Sequence, residues 1–251
     1  MPRCQRTFER LGESAQTVSG TTPVGITTVG IPGGSPNKVW RCSFCPEAET
    51  YQPIIGGDFI EYARIAYAMC ISDFGPPRDN GWRTTLWAGL RPECVREPSE
   101  RAYDIYLGDG GDALQWRLQI GHEMFHRVCS QGRVFHWSHE MLACLASVRL
   151  LRRSGFETYA TQTETEYARQ ATLLEVKQMQ DTDVTLPPYP AGLYGRAFET
   201  GRALQSVVGW PALCRLARCL NRTDVPDVSR WCATLSSRER IAVLAVLGIT
   251  E

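Results

Sequence analysis

Apolar residues along the chain follow two different periods, and the change from one to the other organises the protein. Between 58 and 72, Phe59, Tyr62, Ala63, Ala66, Met69 and Cys70 recur at helical spacing, which predicts an amphipathic helix. Pro76 and Pro77 then block its continuation. Trp82–Leu90 is rich in β-formers and Arg101–Leu107 alternates, so both stretches predict strands. GDGGD at 108–112 is a turn cluster. The helical period returns from Ala113 to about Cys129, carried by Leu114, Leu118, Ile120, Met124, Phe125 and Val128, and Gln131-Gly132 is expected to end it.

From there on the pattern is helical. A helix is predicted from Ser138, a plausible N-cap, to Arg153, with Arg152 and Arg153 suited to the negative end of its dipole. The polar stretch 157–183 predicts a partly helical, solvated excursion, and LPPYPAGLYG at 186–195 a loop. Helices follow at 196–208 and 211–220, and the last opens with the capping-box spacing Ser236-x-x-Glu239. The first 38 residues are thin in large apolar groups and read as an extended arm. The expectation is an α+β chain: an arm over 1–38, a lobe of mixed sheet and helix over 39–132, and a mainly helical lobe over 133–251, the two lobes forming one catalytic unit.

Composition narrows the function without naming it. Lys+Arg and Asp+Glu balance at 27 each, which removes any global electrostatic case for nucleic acid or an anionic membrane. The best apolar run, Ile241–Ile249, is far below the roughly 20 residues a spanning helix needs. The N-terminus carries charges throughout and has no apolar core of signal-peptide length, so the cytoplasm is the default expectation, although a leaderless exported protein would look the same. Ten scattered cysteines are then expected as reduced thiols, Cys70 and Cys144 among them as small buried hydrophobes. Cys42-x-x-Cys45 has no second CxxC to complete a four-thiolate site and reads as surface or turn cysteines, with a metal or redox role as the alternative.

All four histidines fall within 122–139. His122 and His126, four apart on a predicted helix, share one face about 6 Å apart along the axis, which suits two ligands of one metal. Glu123 is rotated by about 100° and is free to act as general base on a water at the metal's open position. A catalytic zinc wants a third protein ligand. Glu140 is favoured, because the residues on its own face, Ala143, Cys144 and Ser147, are small enough to let two helices approach. His136, His139 and Cys129 are the rival ligands, and either histidine is also a candidate to support the site through hydrogen bonds or to stabilise an oxyanion.

HEMFH at 122–126, a thirteen-residue linker and Glu140 in WSHEMLA together resemble the gluzincin metallopeptidases. The order of elements over 58–155 is similar to a zincin-like lobe. That resemblance implies zinc held by His122, His126 and Glu140, with Glu123 polarising the attacking water. It also implies a tyrosine from the helical lobe beside the site, Tyr194 or Tyr189, and a sheet-edge strand at 84–90 on which a peptide or protein substrate would align. Arg127 departs from the family, which usually has an uncharged residue there, and the linker is short. Cys129 and Gly132 replace the Gly and third His of metzincins, which favours the glutamate branch. The expected function is a zinc-dependent peptidase; the alternative is a zincin-like binding or structural module with little turnover.

Overall fold

The computed structural model describes residues 6–10, 38–42, 45–53, 57–89, 92–108, 112–130, 136–182, 189–222 and 228–249; up to 57, and for 89 and 220–222, it describes the backbone alone. The elements in chain order are β1 (Arg6–Arg10), β2 (Lys38–Cys42), β3 (Cys45–Pro53), α1 (Gly57–Phe74), β4 (Arg83–Gly89), β5 (Glu93–Glu97) and β6 (Ala102–Gly108). They continue with α2 (Ala113–Phe125), a π-helical turn (His126–Ser130), α3 (Trp137–Arg153), α4 (Glu157–Ala171), α5 (Val176–Gln180), α6 (Leu193–Val208), α7 (Trp210–Arg222), α8 (Val228–Cys232) and α9 (Ser237–Val246). The chain is α+β and mostly helical, as its periodicity predicts. Of the expected arm, only β1 and the first residue of β2 lie within the described residues. Cys42 and Cys45 are backbone partners across the β2–β3 ladder.

The strands follow the order β1-β2-β3-β4-β6-β5. β4 and β6 run parallel, whereas β3 and β5 flank them antiparallel. The expected sheet edge at 84–90 is covered only in part: β4 pairs with β6 along its whole length but with β3 only at Trp87 and Ala88, and the ends of the strand order are β1 and β5. The sequence hides β5 because ECVRE buries only Cys94 and shows no apolar alternation. β6 is the opposite case. All seven of its residues are buried, since it lies between β4 and β5 and packs against α2.

One hydrophobic core runs from Leu86 and Ile105 on the sheet through Met124, Phe125 and Leu142 to Phe198, Trp231 and Val243. At its centre lies α3, in which every residue from Trp137 to Val148 is buried. Neighbours on several sides explain why this helix is buried almost all round, its polar residues Ser138, His139, Glu140 and Ser147 included. Two boundaries differ from the sequence expectation. The N-cap of α3 is His136, whose Nδ1 accepts from the Ser138 N–H, so Ser138 is already inside the helix. And α6 begins at Leu193, because Gly192 adopts φ 89° and turns the chain into the helix where LPPYPAGLYG predicts a loop.

The polar stretch after 157 is not an excursion. It forms the full helix α4, with Ala160, Thr163 and Ala171 buried. A β-carbon at Gly195 would collide with the Tyr167 carbonyl, so α6 packs directly against the backbone of α4. Among the described residues, no helix is long and apolar enough to cross a membrane.

Candidate metal centre

The site is assembled by the phase of α2 and by its close approach to α3. Asp112 caps α2, its Oδ1 accepting from the Leu114 and Gln115 N–H groups at 2.9 and 2.8 Å. From that start Gln115, Leu118, Gln119, His122 and Glu123 fall on one stripe and line a cleft of about 440 Å³. On the neighbouring face, a β-carbon at Gly121 would sit 2.9 Å from the Ser147 Cα, so the two backbones nearly touch. Two turns before Ser147, α3 then presents Glu140 to the histidines. The small-residue face read from the sequence is the one that makes the crossing.

Three donors converge there. His122 Nε2 lies 3.1 Å from Glu140 Oε2 and 3.1 Å from His126 Nε2, and His126 Nε2 lies 3.5 Å from Glu140 Oε1. Two ligands about 2.05 Å from one tetrahedral ion stand roughly 3.3 Å apart, and the three separations bracket that value. Two imidazole nitrogens facing one another beside a carboxylate need a cation or a proton between them, so the donor set could hold a metal ion in chemistry as well as distance. It is the group suited to a metal among the described residues.

Electrostatics follow from burial and these contacts. Burial alone would raise the Glu140 carboxyl, but His126 and His122 hold it well below the usual carboxylate range. Burial opposes charge on His122, yet Cys144 and Glu140 raise it well above an ordinary imidazole. Glu123 is pushed up by burial, which outweighs the nearby His122 and His126. It is 5% exposed and opens onto the cleft beside His122.

Each histidine is also oriented from behind, by residues the sequence did not single out for this role. The Ser130 hydroxyl donates to the His126 carbonyl at 3.0 Å, leaving its lone pair to accept from His126 Nδ1–H at 3.1 Å. That arrangement puts the proton on Nδ1 and leaves Nε2 free to ligate. Ser130 reaches His126 within the π-helical turn, a local widening often found at functional sites. Cys144, one turn after Glu140, places its Sγ 3.9 Å from His122 Nδ1, the reach of a weak N–H···S contact.

The rivals go elsewhere. His139 is buried, lies outside the cleft lining and has no partner for Nδ1 among the described residues; burial, with His126 and His136, pushes it down to about 3. His136 caps α3. Cys129 is buried toward Cys70 and Cys214. Tyr194 does reach the site: on the first turn of α6 it lines the cleft, its ring 5.7 Å from that of His122 and edge-on to it. Tyr189 stands behind it, 6.1 Å ring to ring.

Arg127 receives a structural explanation. It is fully buried, donating from Nε to Thr84 Oγ1 at 3.3 Å and from Nη2 to the Asp79 and Trp82 carbonyls at 3.2 and 3.4 Å, with its guanidinium 3.9 Å above the Tyr103 ring. The residue after the second histidine therefore anchors the end of the motif helix to the sheet. The remaining wall of the cleft is Tyr159, Gln162, Thr163, Glu166, Tyr167 and Gln170 of α4, with Pro92 before β5. That wall was visible as a stripe at helical spacing, but its polarity made it read as a solvated face.

No family model, curated protein or solved structure matches the chain. The geometry of the site is accordingly the basis for a functional reading.

Proposed function

We propose that the chain is a zinc-dependent metallohydrolase acting on peptide bonds, with a zincin-like arrangement of sheet and motif helix. The observation that carries this reading is the convergence of His122, His126 and Glu140 beside Glu123, with His122 and Glu123 lining a cleft. Zinc held there would polarise a carbonyl and make water acidic near neutral pH. Glu123 takes a proton from the attacking water as its oxygen bonds to the carbonyl carbon. It returns that proton to the amide nitrogen as the C–N bond breaks. The Tyr194 hydroxyl is the candidate donor to the developing oxyanion. With β5 at one end of the sheet and Pro92 at its entry lining the cleft, β5 is an edge on which an extended peptide would pair.

The test combines metal content with a single substitution. Protein purified without chelator is expected to carry one zinc per chain and to hydrolyse peptides. Glu123→Gln should retain the zinc and lose at least about 10²-fold in turnover. Zinc-free protein, or a fully active Glu123→Gln variant, overturns the reading. Zinc retained with no hydrolysis of any peptide would favour the alternative, a metal-holding binding module.

A further inference from the structure

We infer that the substrate of this site is an internal, uncharged stretch of extended polypeptide rather than a chain terminus or an acidic segment. This rests on the peptidase reading and deepens it. The argument is the chemistry of the cleft walls. On α2 the stripe that carries His122 and Glu123 continues through Gln119, Leu118 and Gln115, so the cleft runs directly from the reacting groups. On α4 it faces Tyr159, Gln162, Thr163, Glu166, Tyr167 and Gln170. Beyond the bonds that Gln115 accepts from Tyr159, Gln119 accepts from the Gly108 N–H and Gln170 gives to Glu166, the four glutamines keep further donor or acceptor capacity, which matches the N–H and C=O groups of a peptide whatever its side chains. The tyrosine rings offer flat apolar surface with a polar tip.

No lysine or arginine lines the cleft among the described residues, although the chain has 27 of them. Among the described lining residues a C-terminal carboxylate or an acidic side chain would therefore meet the Glu123 carboxylate and no cation, the charge of Glu166 being paired with Arg169. An α-amino group fares no better. Glu166 already accepts from Arg169 Nε at 2.8 Å and Nη2 at 2.6 Å, and from Gln170 Nε2 at 2.8 Å. Glu123, the other carboxylate, is the general base. Among the described residues of the cleft, neither terminus thus has a partner.

On α2 and α4 the lining begins at a bridge between the two helices. Tyr159 donates to Gln115 Oε1 at 2.8 Å and bridges α2 and α4 seven residues before His122. Seven residues of helix span about 10 Å, which is room for roughly three residues of extended chain. Discrimination is therefore expected within about three positions on one side of the scissile bond.

The test uses the zinc-loaded full chain and a set of peptides of one neutral sequence: blocked at both ends, free at either end, or carrying one Glu at each position in turn. Mass spectrometry locates the cuts and gives kcat/KM. Blocked neutral peptides should be cut at least as well as free-ended ones. Glu within about three positions on one side should lower kcat/KM by about tenfold or more, and Gln162→Arg should recover much of that loss. A requirement for a free terminus, a preference for acidic residues, or indifference to charge overturns the inference while leaving the peptidase reading intact. If the zinc-loaded protein cuts none of them, the peptidase reading fails. Binding to zinc-loaded Glu123→Gln then judges the cleft: a tenfold preference for the neutral blocked peptide upholds its selectivity, and no preference overturns it.

Discussion

Gly121→Ala tests whether helix contact, rather than the ligands alone, sets the metal site. The new β-carbon would lie 2.9 Å from the Ser147 Cα, 3.2 Å from Ser147 Cβ and 3.2 Å from Leu150 Cδ2. Leu150 can rotate away, but a backbone Cα cannot. Reaching an ordinary contact requires α2 and α3 to part by about 0.6 Å, and overpacking of this kind costs about 1–3 kcal/mol. Replacing a helical glycine by alanine returns about 1 kcal/mol. The net loss of stability without metal is therefore small, about 0–2 kcal/mol. The metal is affected more. His122 follows Gly121 and sits 3.1 Å from Glu140 across the same crossing, while a workable site tolerates about 0.2 Å in ligand distance. Zinc affinity should fall by about 10–100-fold, measured by competition with a chromophoric chelator, and urea unfolding with and without zinc should show the variant gaining less from the metal. Ser147→Gly in the same background should restore little, since the closest atom is the Cα. Unchanged zinc affinity in a folded Gly121→Ala protein would refute the claim that the crossing positions Glu140.

Ser130→Ala removes the hydroxyl that keeps the proton on His126 Nδ1, and zinc affinity should fall about 10–100-fold with a stability loss near 1 kcal/mol; chelator competition and urea melts separate the two. Arg127→Met should show the reverse pattern. It loses a buried guanidinium and its bonds to Thr84, Asp79 and Trp82, costing about 2–4 kcal/mol in urea unfolding, with less than a tenfold change in zinc affinity. His136 gives a pH dependence. Burial pushes its imidazole down to about 4 from 6.5, so below pH 6.5 the unfolded chain binds a proton that the fold refuses, and stability falls as pH drops toward about 4. Discounted for partial exposure, the loss is about 2 kcal/mol. His136→Asn, which keeps a capping side chain, should flatten that acid limb in chelator-treated protein; equal slopes in urea unfolding at pH 6.5 and 4.5 would refute this.

The local pattern was enough to locate α1, β4, β6, α2 and α3 to within a few residues, because each buries one face or both and the period of burial is written into the chain. The candidate ligands were legible for a similar reason. His122 and His126 share a helix face by spacing alone, and Glu140 stands on a face of small residues that only a close helix partner explains. Chain pattern also marked the acid-base candidate, Glu123, one position from a ligand.

Only the tertiary structure decided what lies across from those faces. β5 has no apolar alternation, so its place at the sheet edge depends on pairing with β6, which is set by long-range hydrogen bonds. α4 looked solvated because its inward stripe is polar; it is polar because it faces a cleft rather than the core. Ser130 and Cys144 are ordinary small residues until the π-helical turn and the Gly121–Ser147 crossing place them behind the histidines. Arg127 looked like a departure from a motif until the fold buried it over Tyr103. Sequence spacing fixes which side chains share a face of one element, since helix and strand geometry are local. What meets that face depends on contacts between residues far apart in the chain, and there the assembled core decides.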